Sequence, residues 1–210
     1  MKKQSGYFTF AWLLFFSFFF LLMVQLTLRY LPLSKTVAFL QIKQTEVNGV
    51  ATYLPIFYVH VYTAVFCLLA GFTQFNPTLL AKYKKLHRAV GYVYVLVVVV
   101  LAGPSGIYMG WYANGGWTAQ LSFILLGLLW ILFTLKALSC IKQGNLKKHR
   151  QLMLRSFALA FSAITLRLWK VILVYLFHPA PMDVYQIIAW LGWIPNLVIV
   201  EYLIRKDRKN

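Results

Sequence analysis

The sequence predicts an all-α polytopic membrane bundle of six helices with both termini on the cytoplasmic side, and three observations carry that prediction. Of 210 residues, 61% are hydrophobic, 18% aromatic and only 12% charged, which leaves too little polar surface for a soluble domain of this length. Apolar runs of about 20 residues, enough to cross a roughly 30 Å hydrocarbon core, recur along the chain. The cations collect in alternate gaps between those runs.

The first run, residues 7–28, contains FTFAWLLFFSFFFLLMVQLTL after Met1, Lys2 and Lys3. It is too long for a secretory signal core and lacks a small-residue cleavage site after it, so a retained anchor is expected. The loop 29–53 carries Leu31, Leu33, Val37, Leu40 and Ile42 between polar residues. That weak amphipathic pattern fits either a surface-lying segment or plain packing. The second run is 54–75 and the third 88–110, the latter interrupted by Pro104, Ser105 and Gly106. A kink there, and a close helix contact through Gly106 and Gly110, are expected. The fourth, fifth and sixth runs are 119–140, 151–177 and 185–204, and no linker divides the chain, so residues 1–210 read as a single integral membrane domain.

Lys2 and Lys3, then Lys82, Lys84, Lys85 and Arg88, then Lys142, Lys147, Lys148, Arg150 and Arg155, and finally Arg205, Lys206, Arg208 and Lys209 fall on one side, against Arg29, Lys35 and Lys43 on the other. The positive-inside rule makes the first side cytoplasmic. The net charge of +17 then follows from topology and attraction to anionic lipid, so the expected partners are the bilayer and anionic lipids, with no nucleic acid. Tyr7, Tyr30, Tyr53, Trp111, Tyr112, Trp117, Tyr175 and Tyr202 lie near run ends, as interfacial aromatics do. Cys67 and Cys140 are read as apolar fillers without a disulfide.

Polar residues inside hydrocarbon are costly and mark where chemistry can sit. His60 lies about 9 Å below the outer face at 1.5 Å per residue, and Arg167 reaches a similar depth, with Lys170 one turn above it. These form an expected outer site. His87 and His149 each open a run beside an arginine, Arg88 and Arg150, and with Gln74, Arg155 and Glu201 they form an inner polar layer. Two histidines at equal depth on different helices are what axial ligation of haem b needs, and neighbouring arginines suit its propionates. The same His-Arg pairs also suit an interfacial anchor for lipid phosphate. His60 fits interhelical packing as well as ligation, Arg167 and Lys170 fit snorkelling, and Glu201 fits an ion pair with a nearby arginine. No residue is singled out as catalytic, and His178, before Pro179, reads as a surface loop residue.

The segments GFTQF at 71–75, LHRAVGYVY at 86–94, HRQLMLRSFALAFSAITLRLW at 149–169 and AWLGWIPNLVIVE at 189–201 occur in one order. Together they resemble the bacterial predicted-membrane-protein family called domain of unknown function 2306, from about Tyr53 to Glu201. The resemblance implies a shared helical architecture in a bacterial cytoplasmic (inner) membrane, and matches His60, His87, His149, Arg155, Arg167, Asn196 and Glu201 to family positions. The family pattern more often reads HR-x-x-GR-x-Y near the first His-Arg, where this chain has Tyr92. LHRAVG is also similar to the histidine-bearing helix starts of diheme ascorbate-reducible cytochromes b and ferric-reductase membrane domains.

Two functional expectations follow. One is a membrane-embedded redox protein holding haem b or a metal at His87 and His149, with Arg88 and Arg150 as anion partners and His60 with Arg167 as an outer site. The other is a transporter, lipid-interacting or structural membrane protein in which the polar layers line a path.

Overall fold

Six long apolar segments each fold as helix in the computed structural model, which describes residues 6–31, 33–74 and 82–209. Helix α1 spans Gly6–Leu28, α3 Tyr53–Gln74, and α4 Lys84–Leu96 runs through a π-helical turn, Val97–Ala102, into α5, Gly103–Trp111. Helix α6 is Gly116–Lys142, α7 Leu146–Ala160, α8 Ser162–Phe177, α9 Pro181–Leu191 and α10 Ile194–Lys209. No strand occurs among the described residues. The expected runs coincide with these helices to within a few residues.

Helix length and composition support three to four crossings, fewer than the six expected from the apolar runs. Among the described residues, Lys84–Trp111, Gly116–Lys142 and Met182–Asp207 are long and apolar enough to cross a membrane, and α7 with α8 makes a fourth if its 41° bend lies within one span. Leu13–Leu28 and Tyr53–Leu69 are shorter apolar helices. Large apolar side chains stand exposed on Phe10, Leu14, Phe18 and Leu21 of α1, on Leu128, Leu132 and Leu135 of α6, and on Val198 and Ile199 of α10. A belt of that kind is stable only against lipid or another protein.

One Gly-Asn pair reverses the chain at the basic end. Gly144 has φ +76°, a conformation glycine adopts without a Cβ penalty. The Asn145 amide donates to Cys140 O and the Gly144 amide to Ile141 O, closing α6. The Asn145 side chain then accepts from the Lys148 amide and starts α7. The hairpin lays α7 against α6 and returns His149 to the last turns of α6.

The opposite end is closed by the loop after α1. The segment 29–53 does not lie free: a 3-10 turn, Ala38–Lys43, and α2, Gln44–Gly49, bury Leu40 and Val47 against Tyr53 and Phe57. Lys43 is 1% exposed; its ammonium donates to Glu46 at 2.7 Å and to the Tyr112 carbonyl. A cation read from the sequence as a loop charge is thus a buried tie between that loop and the end of α5.

The third apolar run stays helical from Lys84 to Trp111 through Pro104. The π turn ends with the Gly103 amide on Val98 O, and the ring of Pro104 follows directly at the start of α5, where a missing N–H is tolerated. The glycines there serve different neighbours. A Cβ on Gly106 would lie 3.0 Å from His60 Cε1, whereas one on Gly110 would lie 3.1 Å from Phe123 Cβ. The small-residue pair therefore packs α5 against both α3 and α6.

The fifth and sixth apolar runs are each interrupted; Gly192 and Pro195 mark the sixth, whereas no proline or glycine marks the fifth. The chain turns at Phe161 between α7 and α8, and at Gly192–Trp193 between α9 and α10. Asn196 knits both breaks: its amide nitrogen reaches Ala158 O at 3.1 Å, Thr165 Oγ1 at 3.0 Å and Gly192 O at 3.2 Å. Thr165 donates to Gly192 O at 2.5 Å. Backbone carbonyls freed by helix breaks need such partners away from water.

Candidate functional site

Three polar features stack along the bundle: a cavity in the half away from the basic end, a hydrogen-bonded cluster beneath it, and a charged layer at the basic end. The cavity measures about 410 Å³. Its walls come from α1, α3, α5, α6, α7, α8 and α9, and most of its lining is apolar, including Leu68, Leu126, Leu159 and Ile188. Gly103, Gly106, Gly110 and Gly127 are among its lining residues, and each lets a neighbouring side chain pack closely where a Cβ would stand.

The polar lining groups include His60, Arg167, Lys170, Tyr185 and the tied Lys43, beside hydroxyls of Thr27, Tyr30, Tyr53 and Ser162. The structure therefore brings together His60, Arg167 and Lys170, the three residues expected to form an outer site. His60 Nδ1 lies 3.0 Å from Ala102 O and 3.2 Å from Ser105 Oγ. Because a carbonyl can only accept, Nδ1 carries a proton, and the neutral ring leaves Nε2 as an acceptor. Arg167 sits close enough to His60 and Tyr185 for its charge to act on both. It is enclosed by protein yet keeps accessible surface, because it borders the cavity instead of packing against a neighbour.

Arg167 does not snorkel. Its Nη1 donates to Ala163 O at 2.6 Å, one turn back along α8 toward the middle of the bundle. A snorkelling arginine extends the other way, toward the nearer helix end and water. Lys170, one turn on, is exposed as Arg167 is and borders the same cavity, and His178 caps α8 in the left-handed region at φ 44°.

Beneath the cavity lies a cluster that the sequence reading did not identify. Trp130, on the cavity wall, donates from Nε1 to Tyr94 Oη at 3.1 Å. Tyr94 Oη lies 2.7 Å from Ser156 Oγ, which lies 2.7 Å from Thr134 Oγ1. Thr134 donates to Trp130 O at 2.7 Å. Tyr94, Ser156 and Thr134 are buried on three different helices, α4, α7 and α6. The signal was present in the repeat: Tyr94 and Ser156 each lie seven residues after a histidine of a His-Arg pair, about two helical turns.

The same register places His87 and His149 at one depth at the basic end, where their charges interact. His149 Nδ1 donates to Ala137 O at 2.9 Å, which leaves Nε2 facing away from that bond. Both rings are half-buried, while Arg88 and Arg150 are exposed. Neither inner histidine lines the 410 Å³ cavity. Arg155 and Glu201 form a two-pronged ion pair between α7 and α10, with Nη2 to Oε2 at 2.9 Å, as expected for Glu201. Gln74 ends α3, but its side chain lies outside the described residues. No group of three or more His, Cys, Asp or Glu residues able to hold a metal occurs among the described residues.

The ion pair is expected to be structural. Arg155→Ala should lower stability by about 1–2 kcal/mol, reduced from buried-pair values because both partners keep water contact. Glu201→Ala should cost a similar amount and the double variant less than the sum. Thermal unfolding in detergent reads this out, and additive costs would show that the pair is not coupled.

No curated protein and no solved structure matches the chain. A family model does: residues 57–204 match the description "Predicted membrane protein". That stretch includes the His60 wall, both His-Arg helix starts, the Tyr94–Ser156 cluster and the Arg155–Glu201 pair, and by it the chain belongs to the predicted membrane protein family of domain of unknown function 2306.

Proposed function

We propose that this membrane protein binds an amphipathic small molecule within the bilayer and carries or presents it, with the basic end of the bundle in the cytoplasm of a bacterial cell and the cavity in the outer half. The observation that carries this reading is the 410 Å³ cavity, apolar over most of its wall and provided with His60 and Arg167 beside the break between α7 and α8. Pockets for small molecules combine such walls with a few placed polar groups. In membrane transporters, binding sites form at discontinuous helices, and Ser162 and Ala163, the first residues after the break, line this cavity.

Ala163→Phe tests the reading by filling the cavity from α8. Native lipid and small-molecule extraction followed by mass spectrometry should find a molecule retained by the purified wild-type protein and lost from this variant. Equal retention by a folded Ala163→Phe protein would refute the reading.

A second reading is favoured by the register of the His-Arg pairs. His87 and His149 share a depth on neighbouring helices, and the His149 Nδ1 bond to Ala137 O presents Nε2 for ligation, so the donor chemistry fits a haem b or a metal. His87 and His149 would be the ligands and Arg88 and Arg150 the partners of the haem propionates; the group would supply electron transfer. The purified protein, expressed with ample haem, should then show a sharp reduced absorption band that His149→Ala abolishes. A colourless wild-type protein without metal would remove this reading and leave the pairs as lipid-phosphate anchors.

A further inference from the structure

The charge at the cavity identifies the class of molecule it takes. Resting on the binding reading above, we infer that the ligand is an amphipathic anion, a carboxylate or phosphate head held by Arg167 with an apolar chain running toward Trp130.

Arg167 borders the cavity without a carboxylate paired to it among the described residues. Among the described residues, the ion pairs are Lys43 with Glu46 and Arg155 with Glu201. Neither includes Arg167. Of its five donors, the one hydrogen bond to Ala163 O uses Nη1, and a backbone carbonyl carries no net charge to balance the guanidinium. A charge held within a membrane bundle without a counterion is costly unless water or a ligand meets it. The bond to Ala163 turns the guanidinium along the cavity wall, and Lys170, one turn on, borders the same cavity and adds a second positive charge near the head. A planar fork of donors suits a carboxylate or phosphate.

The remaining lining fixes the orientation. Lys43 is already met by Glu46 and Tyr112 O, so it does not compete for the head. His60 in its neutral form offers Nε2 as an acceptor, which a protonated head oxygen or a hydroxyl on the ligand satisfies. The apolar lining includes Leu68, Leu126, Leu159 and the Trp130 indole. A chain laid there is dry along its length and ends on the indole.

The test uses the whole protein in nanodiscs of zwitterionic lipid. A fatty acid of medium length, brominated near its methyl end, is titrated against the matched brominated alcohol, and tryptophan quenching is followed with Trp130→Phe as background. The acid should bind at least about tenfold more tightly than the alcohol, the scale of one charge-assisted contact. Arg167→Gln should remove that preference while still binding the alcohol, which also shows that the variant is folded; Arg167→Lys should keep part of it. The matched alkyl phosphate should compete with the acid, whereas acetate and inorganic phosphate should not.

Equal binding of acid and alcohol by the wild type would overturn the anion assignment and leave the cavity reading standing. Quenching by neither would overturn the cavity reading itself. An acid preference unchanged in Arg167→Gln would place the anion elsewhere, and full competition by acetate or inorganic phosphate would replace the chain-bearing ligand with a free anion.

Discussion

Gly103→Ala is expected to cost about 3 kcal/mol, the upper part of the range for overpacking a filled core. A Cβ there would lie 2.4 Å from Val98 O and 2.6 Å from Ile131 Cγ1. The first contact is with backbone inside the π turn and cannot yield without unwinding it. For a chain of this size the apparent melting temperature should fall by roughly 6–12 °C. Gly49→Ala is the control, since nothing lies within 4 Å of the position; it should leave stability unchanged or raise it slightly, alanine being the better helix former. A Gly103→Ala protein that melts with the wild type would show that the α5–α6 contact is loose.

Tyr94→Phe is expected to cost about 2 kcal/mol, because it removes one oxygen that serves two buried partners and leaves the indole N–H of Trp130 unmet. Ser156 keeps its bond to Thr134, so most of the loss falls on Trp130. Trp130→Phe made in the Tyr94→Phe background should therefore cost less than in the wild type by about 1 kcal/mol. Denaturation of the four proteins in one detergent measures that coupling, and a value near zero would mean that water or a rotamer change satisfies the indole.

The helical class, the approximate run boundaries and the closeness of His87 to His149 were legible in the sequence, because apolar length and a repeated register are local properties. The pairing of His60 with Arg167 was also legible, since both depths follow from counting residues along a helix. Other features depend on contacts between distant segments. Lys43 reads as a loop cation until Tyr112 is placed beside it, 69 residues away. The break at Phe161 interrupts a segment with no proline or glycine to announce it, and the carbonyls it frees are met by Asn196 from another helix. Tyr94, Ser156 and Thr134 look like ordinary minor polar residues in apolar runs until three helices bring their hydroxyls within 2.7 Å steps. The cavity is lined from helices far apart in the sequence, and no periodicity encodes it.

The π turn at Val97–Ala102 has a consequence for rotational phase. An α-helix advances about 100° per residue, and a π turn is one extra residue absorbed without breaking the rod. Residues on either side of it are thereby indexed separately. His87 and Tyr94 stay aligned with their counterparts on α7, while Gly106 stays turned toward His60 and Gly110 toward α6. Deleting any one of Val97 to Val100 would restore an ordinary helix and swing one half against the other by about a quarter turn. The chain would still be apolar and long enough, but one of its two alignments would be lost.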